Sequence, residues 1–129
     1  MGRLIREDRG MGISIEEKIK TYIKQLGADV CGIGEVSRFQ EAPQGFGTKD
    51  IYEECQSVIA FGIALPKGLY EVSPRLIYGH FNEEICHTVD DIAIEAAKWI
   101  EEECHGLCIP MPCDGPHEYW DKKTLTGKG

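Results

Sequence analysis

The run Ser57-Val-Ile-Ala-Phe-Gly-Ile-Ala-Leu65 constrains this chain more than any other segment, because it is almost continuously apolar and is stopped by Pro66 and Gly68. It falls far short of the ~18 to 20 residues that a membrane-spanning helix needs. A run of this kind reads as a central strand that requires apolar cover on both faces. Everything else in the chain is then judged by whether it supplies that cover.

Two helices are the obvious suppliers. Ser14-Ile15-Glu16-Glu17 fits a capping box, in which a hydroxyl and a carboxylate satisfy the unpaired amides of a first helical turn. Ile15, Ile19, Tyr22, Ile23 and Leu26 then recur on one helical face and Gly27 follows them, so the pattern predicts a helix over 14–26. Farther on, Asn82 is a candidate cap with Glu83 and Glu84 behind it, and Ile85, Val89, Ile92, Ala96 and Trp99 or Ile100 make a second apolar stripe. Gly106 is the expected stop of that helix. Between 81 and 104 there are eight acidic residues and one basic residue, Lys98, a pattern expected of a solvated helix face.

The remaining segments are shorter. Asp29 to Val36, rich in Val, Ile and Gly, predicts a strand. Its Gly32-Ile33-Gly34 lacks the third glycine and the preceding strand of a dinucleotide fingerprint. Residues 37–54 read as a long connection with one helical turn near Ile51. Leu107 to Cys113 carries Pro110 and Pro112, which cannot donate ladder hydrogen bonds, so it should be an edge strand or leave the sheet early. The order α-β-β-α-β predicts a small α+β (or α/β) domain, a three- or four-stranded sheet packed by two main helices. Residues 1–12 read as a flexible extension, 13–129 as one domain with a polar tail from about 114.

Composition narrows the partners. With 22 acidic against 14 basic residues the net charge is −8, which opposes binding to phosphate backbones, so no direct nucleic-acid role is expected. No apolar run suggests a membrane, no secretory signal is visible, and cytoplasmic residence is the expectation. Six cysteines in a reducing compartment are thiols unless they ligate metal or do redox chemistry. Cys104, Cys108 and Cys113, with His117 and His105 nearby, are the candidate metal ligands. Their gaps of three and four residues are unlike the two-residue gaps that let a tight turn aim both sulfurs at one ion.

Known catalytic patterns are absent from the sequence. There is no nucleophile elbow, no His-Glu-x-x-His and no phosphate-binding loop around Gly127-Lys128-Gly129. Cys86 and His87 are consecutive, and on a helix their side chains diverge by about 100°. Asp114, His117 and Glu118 form the remaining polar cluster.

Leu26-Gly-Ala-Asp-Val-Cys-Gly-Ile-Gly34, Ser57-Val-Ile-Ala-Phe-Gly-Ile-Ala-Leu-Pro66 and the 81–104 helix together resemble the N-terminal region of epoxyqueuosine reductase-like iron–sulfur proteins, a region shared with reductive dehalogenases. The resemblance spans about 14–129. It implies an oxidoreductase whose complete form carries two [4Fe–4S] clusters and a cobalamin, and which continues into a Gly-Leu-Gly-x-x-Gly-Lys-Asn-like stretch and cysteine runs that this sequence lacks. The resemblance therefore implies a truncated part that binds no cofactor and does not catalyse alone, completed by a missing C-terminal half or redox partner. It assigns no catalytic or cofactor-binding residue here. Two alternatives stand beside it: a non-catalytic homo-oligomeric binding module, which would bury sheet surface against a second copy, and a small metal-binding protein using Cys104, Cys108, Cys113 and His117.

Overall fold

The computed structural model describes residues 7–8, 13–45, 47–113, 119–121 and 126–128. The fold is a small α+β arrangement of antiparallel strand pairs and helices. Strands β1 (Glu7–Asp8) and β2 (Ile13–Ser14) pair briefly ahead of helix α1 (Ile15–Gln25). The Ser14 hydroxyl accepts the Glu17 amide at 3.2 Å. The Glu17 carboxylate turns outward to Lys20 at 3.4 Å, so the hydroxyl half of the expected box caps the helix. Gly27, at φ 125°, occupies a backbone region closed to side-chain-bearing residues and turns the chain into the sheet.

Strands β3 (Val30–Glu35) and β4 (Ser57–Gly62) pair antiparallel, with Cys31 opposite Phe61 and Ile33 opposite Ile59. Those four side chains point inward and pack on the cluster formed by Ile15, Ile19 and Ile23 of α1 with Ile92, Ala96 and Ile100 of helix α3 (Arg75–Cys104). Tyr22 stacks on Trp99 at 4.4 Å, extending the contact between the helices. Asp29 locks the end of the pair: its amide donates to the Gly62 carbonyl at 2.9 Å and its carboxylate accepts the Ala64 amide at 2.7 Å.

Four expectations need correction. The Ser57–Leu65 segment is not a central strand with two covered faces. Among the described residues β4 has one neighbour, β3, and its outward face holds half-buried Val58, exposed Ala60 and Gly62 opposite Gly34, Gly32 and Val30. The run looked wholly buried because its outward positions are small residues, which are apolar by composition yet need little cover. Second, α3 begins at Arg75 rather than at Asn82. Pro74, with its fixed φ, supplies the start, and Gly79 lies within the helix instead of a connection.

Third, α3 ends on His105, not on Gly106: His105 takes the left-handed conformation at φ 54° and its amide donates to the Glu101 carbonyl at 3.0 Å. Fourth, 107–113 forms no ladder. It runs extended beside α3, with the Cys108 amide held by the Glu101 carboxylate at 3.1 Å and the Cys113 amide by Asp90 at 2.8 Å. The strands after α3 are β5 (Tyr119–Asp121) and β6 (Thr126–Lys128), paired antiparallel within what the composition marked as a polar tail. Glu101, which opposes the helix dipole, thus has a local purpose as an acceptor for the returning chain.

Candidate functional site: an uncharged apolar groove

The long connection between β3 and β4 contains the 3-10 turn Val36–Phe39 and the short helix α2 (Thr48–Ile51). Gly47 and Asp50 fix the start of α2, the Gly47 amide donating to the Asp50 carboxylate at 2.8 Å. This geometry places Thr48, Ile51, Tyr52 and Cys55 along one wall of a groove of about 270 Å3. Ser57, Val58, Ile59 and Phe61 of β4 form a second wall, and Ala93, Ala96, Ala97 and Ile100 of α3 a third. The returning segment, through Cys108, Ile109, Pro110 and Met111, closes one end. Ile23, almost fully buried, belongs to both the core and the groove floor.

Among the described residues the lining contains no Asp, Glu, Lys, Arg or His. Two of its polar groups are hydrogen-bonded. The Cys55 thiol donates to the Ser57 carbonyl at 3.4 Å, and the Tyr52 hydroxyl donates to Glu54 at 3.2 Å. Desolvation and the Glu54 hydrogen bond raise the Tyr52 pKa. Burial, then the charge of Glu101 and the neighbouring Cys104, push the Cys108 thiol up to about 11. Cys104 is raised by burial and by Glu103. A nucleophilic thiol needs its thiolate, and burial opposes that form at Cys108.

The sequence-derived metal candidates lie only partly within the described residues. Cys104 ends α3 half-buried, Cys108 lies at the groove end, and Cys113 is exposed. His117, with Asp114 and Glu118, lies outside the described residues. Among the described residues no three His, Cys, Asp or Glu side chains converge where they could hold a metal ion. No disulfide joins any of the six cysteines. Cys86 is half-buried beside exposed His87 on α3. The third of the lining contributed by Ala93, Ala97 and the 109–111 segment escaped sequence reading because Ala93 and Ala97 lie one position past the Ile92–Ala96 stripe and an extended Pro-rich piece has no period. The only available signal was the small-residue spacing 93, 96, 97 on a helix otherwise rich in Ile and Glu.

No protein-family model, no curated protein and no solved structure shows a significant match to this chain. No helix among the described residues is long and apolar enough to cross a membrane.

Proposed function

We propose that this chain is the N-terminal α+β part of an iron–sulfur oxidoreductase of the epoxyqueuosine reductase-like kind, and that it does not catalyse by itself. The observation that carries this reading is the groove: an apolar, uncharged surface beside a strand pair with no second neighbour among the described residues. Two strands make a marginal sheet, and further strands or a packed helix are its usual completion. The resemblance names the polypeptide that completes it, the part bearing the two [4Fe–4S] clusters.

The described residues do not form an iron–sulfur site. Iron–sulfur clusters need four thiolates at suitable spacing, and no three-ligand set is present among the described residues. No redox step is assigned to this chain.

Reading the source DNA beyond codon 129 tests the proposal. A Gly-Leu-Gly-x-x-Gly-Lys-Asn-like segment and two cysteine runs, in frame or frameshifted, are expected, and their absence refutes it. Protein purified anaerobically is expected to lack iron–sulfur absorbance, and a stoichiometric brown cluster on this chain alone would overturn the reading. The same open strand edge favours one second reading, a non-catalytic homo-oligomeric module. A monomeric mass by light scattering at micromolar concentration rules that out.

A further inference from the structure

Helix α3 is longer than the core it serves. Its apolar stripe is continuous, at helical spacing, from Ile77 and Phe81 through Ile85 and Ile92 to Ala96 and Ile100. Burial is not continuous. Ile100, Ala96 and Ile92 are 2%, 4% and 5% exposed, Ile85 is half-buried, and Phe81 and Ile77 are 48% and 40% exposed. Among the described residues, the first turns of α3 are met by the 3-10 turn Lys67–Tyr70, where Tyr70 leans on Tyr78 at 5.9 Å. One helical face therefore passes from closed core to open surface with no change in its chemistry.

The flank of that open stripe is acidic. Glu84, Asp91 and Glu95 follow at steps of seven and four residues, which keeps them on one edge beside Phe81, Ile85 and Ile92. All three are exposed, and their only basic neighbour on the helix C-terminal to them is Lys98. This decides between occupants. Two copies paired antiparallel through this face bring each flank against itself, because a two-fold interface is self-complementary, and like charges directly opposed are unfavourable. Parallel pairing aligns the helix dipoles and sets −8 against −8. An anionic lipid surface is repelled by the same carboxylates.

We infer that the exposed N-terminal half of α3, through Ile77, Phe81 and Ile85 with the Glu84–Asp91–Glu95 flank, docks a basic amphipathic helix of another protein. The partner's apolar stripe covers Ile77 and Phe81, and its Lys or Arg flank meets the carboxylates. This goes beyond the proposed redox role and does not depend on it.

The test uses the full chain and three fluorescein-labelled peptides: a Leu/Lys helix with leucines at i, i+3, i+4 and i+7, the same composition scrambled, and the Leu/Glu counterpart. The amphipathic Leu/Lys peptide is expected to bind at least about tenfold tighter than the other two. Phe81→Glu, and separately the pair Glu84→Lys and Asp91→Lys, are each expected to weaken binding by about tenfold or more. The pair Glu41→Lys and Glu53→Lys, equal in charge but on the β3–β4 connection, should leave binding within about twofold. Far-UV circular dichroism confirms that each variant is folded, and the exposed Glu84/Asp91 pair carries the test if Phe81→Glu is not. Equal binding of the scrambled or acidic peptide, or an equal loss from the Glu41/Glu53 pair, overturns the proposal. So does a dimer by sedimentation that Phe81→Glu dissociates, which gives this face to a second copy.

Discussion

Ile92 and Ile77 are the same residue on the same face of the same helix, and the structure makes them energetically unlike. Ile92 is 5% exposed among Ile19, Ile23 and Ala96, whereas Ile77 is 40% exposed beyond the reach of α1. Truncating a fully buried Ile to Ala forfeits roughly 2.4 kcal/mol of transfer free energy, at about 0.8 kcal/mol per buried carbon. A poorly relaxing cavity adds about 1 kcal/mol, and the better helix propensity of Ala returns about 0.4 kcal/mol. Ile92→Ala should therefore cost about 3 kcal/mol. For Ile77→Ala about three-fifths of the transfer term applies and no closed cavity is left, so the net cost is about 1 kcal/mol. Urea unfolding followed by far-UV circular dichroism reads both values, and the difference of about 2 kcal/mol is the quantity at stake. Equal losses at the two sites would mean that the N-terminal half of α3 is already covered, and would remove the basis for a docking face there.

Two further perturbations probe the joints of the fold. Asp29→Ala removes the acceptor of the Ala64 amide at 2.7 Å; the expected loss is about 1 kcal/mol, with faster hydrogen exchange at Ala64, and unchanged exchange there contradicts the assignment. The Cys108 thiol, pushed up to about 11 by burial, Glu101 and Cys104, should alkylate slowly until the pH approaches that value, and Glu101→Gln should shift the alkylation profile to lower pH. Because its folded pKa lies above its ordinary 9.0, the stabilisation from the neutral thiol is complete below about pH 9 and is lost as pH rises toward 11. An alkaline unfolding midpoint that does not respond to Cys108→Ala would count against that account.

Much of the local structure was legible in the residues themselves. Ser14 as a cap, the Ile15-Ile19-Ile23 stripe and Gly27 as a stop are all determined within one or two helical turns, so their physics is complete at short range. The strand β3 and the helical turn at Ile51 belong to the same class. The unfavourable Glu101–Glu103 end of α3 was visible too, but its use was not: Glu101 accepts an amide seven residues on, and only the path of the returning chain decides that.

The sequence by itself determined a small α+β (or α/β) domain whose two amphipathic helices cover a small sheet, because period and capping are local properties of the chain. The tertiary structure alone decided how much of each apolar stripe is used. The α3 stripe reads the same at Ile77 as at Ile92, and β4 reads as buried on both faces, since composition records whether a side chain is apolar and not whether anything lies opposite it. Cover is a property of the neighbours that long-range packing brings, which is why the groove beside Ala93 and Ala97 and the exposed side chains of Ile77 and Phe81 emerge only in three dimensions.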